Sequence, residues 1–199
     1  MFEPYAMEIG FLAREWNDMQ ERMCGLFCIT TRLQIDGAGS AIWYSVQNDI
    51  SQRKMLKVAA EVVFEKHADL LTELAWLISE ADKVGYRRDD AIHAPLSMVI
   101  GDPLHFTARY FHGNPKAVKL KGKDLLAEFR WYRGCASSLG RYASQLGNYV
   151  AVWRDQPVGA PLPPLPGRPV LPTLGQKKKD QEGSRKVPAN ARPRREDAQ

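Results

Sequence analysis

The chain has 199 residues, enough for one domain and an appendage. Hydrophobic residues make up 44% of it, which excludes a wholly disordered chain because a core can be buried. The net charge is +5, but residues 155–199 hold nine basic and five acidic side chains, so the tail carries +4 and the body only +1.

That imbalance means the basic character says little about the folded surface, and a tail kept soluble by charge accounts for it. All five Trp, seven Tyr and seven Phe precede residue 154, which places the core there. Cys24, Cys28 and Cys135 are too few for a disulfide framework and fit a reducing, cytoplasmic setting. Cys24 and Cys28 lie one helical turn apart, yet no second His or Cys pair completes a metal site, so they read as small core residues. No metal and no cofactor is expected. Residues 1–10 lack the basic start and apolar run of a secretion signal, and Met7 is a second candidate start. No stretch approaches the roughly 18 apolar residues that span a bilayer, so no membrane partner is expected.

The first helix is expected over residues 11–33, where Trp16, Met19, Met23, Leu26, Phe27 and Leu33 recur at three and four. Asp36-Gly37-Ala38-Gly39 breaks it. Ser40 is a candidate N-cap for a second helix over 41–67, with Ile42, Val46, Ile50, Leu56, Ala60 and Val63 as its inner stripe. Arg53 falls on that stripe and Asp49 lies one turn before it. They can form a partly buried structural ion pair or line a polar site; both readings are open. A third helix is expected over 68–84, ended by Gly85 as its C′ residue. Asp89 or Asp90 then caps a short helical turn limited by Pro95.

Residues 96–100 and 106–111 are rich in β formers and flank the turn residues Gly101-Asp102-Pro103, which predicts a small hairpin. A loop with Gly113, Asn114 and Pro115 follows. The last helix is expected over 124–153, where Leu125, Phe129, Tyr132, Cys135, Leu139, Tyr142, Leu146, Tyr149 and Trp153 keep a helical rhythm. Gly134, Gly140 and Gly147 weaken it intrinsically, which a helix tolerates where another backbone packs closely.

Nine of the 13 prolines lie beyond residue 155, with no aromatic residue, so this segment cannot bury enough to fold alone. The expected architecture is an all-α bundle of four to five helices over 1–154 with a small hairpin, then a disordered Pro-rich basic tail over 155–199. Residues 161–166 favour polyproline II and read either as a stiff linker or as a ligand for an aromatic groove. Lys177, Lys178, Lys179 and the later arginines offer weak, salt-sensitive contact with an anionic partner.

Arg88-Asp89-Asp90-Ala91-Ile92-His93 is an Arg, four residues, then His, with an acid directly after the Arg. This resembles the signature of the HEPN superfamily of nucleotide-binding helical bundles. The resemblance implies a motif at a helix junction, dimers with two motifs facing each other, and in many members metal-independent RNA cleavage. It would give Arg88, His93 and Asp89 catalytic roles: His93 for proton transfer, Arg88 on the phosphate, Asp89 as the orienting cap. Asp49, Arg53 and Arg87 are candidates for holding the substrate. The bland alternative leaves Arg88 and His93 exposed at a junction, with Arg88 paired to Asp90 or Asp82.

Other chemistries find no support. Gly37-Ala38-Gly39-Ser40 does not follow a strand, and no nucleophile elbow is present. His67, His105 and His112 lack ligand spacing. Two functions therefore stand. One is a HEPN-like RNase of toxin or defence type, a homodimer acting on RNA. The other is a non-catalytic binding or dimerisation module whose tail recruits a protein partner.

Overall fold

The computed structural model describes residues 3–94, 96–99, 105–109, 113–157 and 160–174. Among these, α1 spans Glu3–Thr31, α2 Ser40–Ser45, α3 Asp49–Val63, α4 Ala68–His93, α5 Pro115–Lys119 and α6 Leu125–Asp155. Strands β1 (Leu96–Val99) and β2 (His105–Ala108) pair antiparallel, with Leu96 opposite Ala108 and Val99 opposite His105. The fold is mainly all-α with one small hairpin, as the periodicity predicts. The turn residues Gly101, Asp102 and Pro103, the end of the expected second strand, and His112 lie outside the described residues.

The spine is α1 against α6. Leu12, Trp16, Met19, Met23, Leu26 and Phe27 of α1 and Phe129, Tyr132, Cys135, Leu139, Tyr142 and Leu146 of α6 are all buried in one core. The two helices run parallel. Glu8 pairs with Arg130 (3.2 Å) and Arg133 (3.0 Å), Arg22 donates to Ser144 (3.0 Å), and Arg154 donates to the Thr30 carbonyl. Gly140 lets the pair close up: a Cβ there would lie 3.2 Å from the Met19 Cα. Gly147 has ordinary room, its nearest neighbour the Ile29 Cδ1 at 3.5 Å.

The expected second helix is two. α2 stops at Ser45, and Val46 turns extended (φ −88°, ψ 117°). Asn48 then caps α3, its Oδ1 accepting the Ser51 N–H at 2.8 Å. The buried Gln52 amide ties the break shut by donating to the carbonyls of Trp43 (3.2 Å) and Val46 (3.0 Å). The break resets the helical phase, so Ile42 and Ile50, expected inside, are 42% and 43% exposed. Ser40 is the first residue of α2 and not its cap; its hydroxyl donates to the Ile35 carbonyl.

The third helix also departs from expectation. α4 runs through Gly85 without interruption to His93. Gly85 serves packing: a Cβ there would sit 3.1 Å from the Trp16 Cη2 and 3.6 Å from the Arg53 Nη2. Asp89 therefore sits inside a helix and caps nothing. The loop at 113–115 holds one short helix more, with Asn114 capping α5 and Pro115 at its first position.

Residues 160–174 carry no helix or strand, in keeping with their composition. They lie against the bundle: Trp131 Nε1 donates to the Pro172 carbonyl at 2.6 Å, and Leu165 and Leu171 pack on the core.

Candidate functional site

The sequence motif lies in the last turns of α4, beside the N-terminus of α3. A cavity of about 220 Å³ opens there, lined by Trp16, Gln47, Asn48, Asp49, Ile50, Arg53, Gly85, Tyr86, Arg88 and Asp89. Four of the six expected site residues converge on it: Asp49, Arg53, Arg88 and Asp89. Arg87 and His93 do not line it.

Trp16 is the floor, 2% exposed. Its Nε1 donates to Asp49 Oδ2 at 2.6 Å, and the Arg88 guanidinium lies 4.4 Å from its ring centroid. Arg88 also donates to Asp89 Oδ1 through Nε (3.1 Å) and Nη2 (2.5 Å). Arg53 is 1% exposed and donates from Nε to Asp82 Oδ1 at 2.7 Å; its buried Nη1 has no hydrogen-bond partner.

The expected pairings are thus redistributed. Asp49 serves Trp16 and Arg53 serves Asp82. Arg88 takes its own neighbour Asp89, while Asp90 pairs with Lys119 at 2.7 Å. An i,i+4 pair within α3 loses because Trp16 and Asp82 present partners from the packed neighbours α1 and α4, where burial makes each hydrogen bond worth more.

His93 is the exposed last residue of α4. Five helical residues turn about 140° round the axis beyond a full turn, so Arg88 and His93 point to different sides of α4. Arg87 points elsewhere again, with its guanidinium 5.1 Å from the Trp131 ring centroid. Two guanidiniums, Arg53 and Arg88, face three carboxylates, Asp49, Asp82 and Asp89. The site carries a formal excess of one negative charge, so it offers a polyanion no net attraction.

A second constellation, of which sequence reasoning singled out only the proline segment, lies along α4 and α6. Glu73 and Trp76 of α4 and Trp131 and Tyr142 of α6 form it, with Trp76 and Tyr142 edge to face at 5.5 Å. Arg168 grips Glu73 through Nε (2.8 Å) and Nη2 (3.2 Å) and lies 5.2 Å over Trp76. The Tyr142 hydroxyl donates to Glu73 Oε2 at 2.5 Å. The Arg168 hydrogen bonds hold the Glu73 carboxyl below its ordinary range against a smaller opposing effect of burial. Burial, then the Glu73 hydrogen bond, pushes the Tyr142 hydroxyl well above the usual tyrosine range. The aromatic rhythm of α6 was the signal for this surface, but nothing in it marked Trp131, only partly buried, as the ring that meets Pro172.

No helix among the described residues is long and apolar enough to cross a membrane. No protein-family model, no curated protein and no solved structure matches this chain.

Proposed function

We propose that this protein is a non-catalytic helical binding module. The observation that carries the reading is the divergence of Arg88 and His93. A metal-independent RNase needs a proton-transferring group and a phosphate-holding cation on the same few ångströms of substrate. Here the cation is held by Asp89 and Trp16, and the imidazole stands on another side of the helix. The acid-balanced cavity argues the same way, since a phosphate there would meet Asp49 and Asp89 beside the two arginines. A HEPN-like ancestry fits the module, as would any other helical origin.

A reducing, cytoplasmic setting is part of the proposal. Cys24, Cys28 and Cys135 are free and buried. Burial pushes the Cys24 and Cys135 thiols up to about 11, which leaves them poor nucleophiles and supports a packing role.

The test is RNA cleavage by the purified chain in excess EDTA, on several RNAs, with His93→Ala alongside. No cleavage by either is expected. Cleavage by the parent that His93→Ala abolishes would replace the proposal with the RNase reading and place Arg88 and His93 in a site assembled between two copies.

A further inference from the structure

Residues 160–174 repeat with a period of three. Ala160, Pro163, Pro166, Pro169 and Pro172 fall on one face, and Leu162, Leu165, Arg168, Leu171 and Leu174 on the next. The third face, Pro161, Pro164, Gly167, Val170 and Thr173, is exposed at every position. Partial burial falls on the other two, at 163, 166 and 169 and at 165, 171 and 174. That is the periodicity of a polyproline II helix, which turns once in three residues.

The spacing of its contacts agrees. Pro166 lies at Tyr142, its carbonyl 3.4 Å from the hydroxyl, and Pro172 lies at Trp131. Six polyproline residues rise about 19 Å. The 11 residues of α6 between those rings rise about 16 Å. The segment therefore runs nearly straight and antiparallel to α6. Gly134 is part of the seat: a Cβ there would fall 2.9 Å from the Pro172 Cγ.

Rings that flank a proline ridge, an indole N–H on a proline carbonyl, and an acid for a flanking arginine are the means by which aromatic grooves read preformed proline helices. We propose that the α4–α6 groove is a recognition site for a proline-rich, arginine-bearing segment of a partner protein, and that residues 160–174 are its occupant in cis. The partner segment carries Pro at every third position and an Arg two residues after one of them, as Pro166 and Arg168 do. Charge complementarity at Glu73 fixes its register. The cis segment has no hydrogen bonds of its own polyproline turns to lose, so it leaves its seat more easily than a helix would. This rests on the binding-module reading and names the partner class.

The test uses the full chain with Arg168→Glu and Leu171→Ser, which unseat the cis segment, and a fluorescent peptide of residues 160–174 added in trans. A short tether holds the cis segment at an effective concentration of order millimolar, so the parent should bind the peptide at least about tenfold more weakly than the unseated chain. Arg168→Glu in the peptide, or Gly134→Ala in the unseated chain, should weaken binding again. Circular dichroism checks the helices, and Arg168→Glu alone replaces the double variant if they are lost.

Equal binding to parent and unseated chains overturns the proposal, and so does indifference to Gly134→Ala and to the peptide's charge reversal. A parent that sediments as a dimer and becomes a monomer on unseating overturns the partner assignment in favour of a second copy. RNA cleavage would sink the binding-module reading without touching the groove. A peptide that fails to bind sinks the groove alone.

Discussion

Gly140→Ala tests the α1–α6 spine against an internal control. In a helix interior the change from Gly to Ala is worth about 1 kcal/mol in favour of folding. At Gly140 the added methyl would lie 3.2 Å from both the Met19 Cα and the Arg22 Cδ, and 3.5 Å from the Met19 Cβ. Arg22 can swing away, but the Met19 Cα is backbone in the middle of a 29-residue helix. The helices must part by a few tenths of an ångström, and overpacking of this kind costs roughly 1–3 kcal/mol. The net expectation is destabilisation of about 1 kcal/mol. Gly147 lies two turns on in the same helix, where a Cβ meets only the Ile29 Cδ1 at 3.5 Å. Gly147→Ala should therefore stabilise, by up to about 1 kcal/mol. Urea unfolding of the two variants beside the parent reads both signs, and their unfolding free energies should differ by roughly 2 kcal/mol. If Gly140→Ala stabilises as much as Gly147→Ala, the close approach of α1 and α6 is wrong.

Asp82→Asn should cost about 2 kcal/mol in urea unfolding, less than the breaking of a fully buried pair because Asp82 is 31% exposed, whereas Arg53→Met with Asp82→Asn should recover most of it. A loss too small to measure in the single variant would mean that Arg53 does not depend on Asp82. Asp124 accepts the N–H groups of Leu126 (3.0 Å) and Ala127 (3.2 Å), so Asp124→Ala should cost about 1 kcal/mol, and an unchanged unfolding midpoint would remove it as the cap. The Glu73 carboxyl is held below its ordinary value of 4.5 by Arg168, so its contribution to seating residues 160–174 is complete above that pH and is lost as pH falls through the lower folded value. Tryptophan fluorescence should report the release of Trp76 and Trp131 on acidification, and Glu73→Gln should flatten that transition; an identical acid transition in Glu73→Gln would assign it to another group.

The sequence carried α6 well because its signals are local, while α1 starts eight residues before its expected start and α4 runs nine residues past its expected end. The stripe of α6 predicts a start at 124, within a residue of the one observed, and Asp124 proves to be its cap. It carried the junctions poorly because their causes are tertiary. Gly85 looks like a helix end only when Trp16, 69 residues earlier, is out of view. The break before α3 was legible in part: Asn48 is a good cap, but an unbroken run of apolar positions at helical spacing concealed it, and the tie that fixes it comes from the Gln52 side chain. The proline segment was legible as polyproline by composition, and its period of three was there to read. Its seat was not, because Glu73, Trp76, Trp131 and Tyr142 come together only when α4 packs on α6.

The candidate site shows how a linear motif and a cavity can part company. Arg-x4-His is a spacing on a string, and its chemistry requires both groups on one patch. Within one chain an unbroken helix works against that, because five residues carry the second group to another side. Within one chain, a helix ending between Arg88 and His93 would be needed to fold back and bring them together. α4 does not end there because Gly85 is packed under Trp16, which keeps the helix docked through its last turns, and because Asp90 is drawn to Lys119 on α5. Trp16 then holds the Arg88 guanidinium over its ring and Asp49 on its N–H, tying α1, α3 and α4 at one point. The residues that suggested catalysis are thereby joined to the core, whereas residues 160–174 lie against the bundle with no helix or strand of their own. The proposed recognition role suits that division: the bundle supplies the groove, and a preformed polyproline strand supplies the pattern it reads.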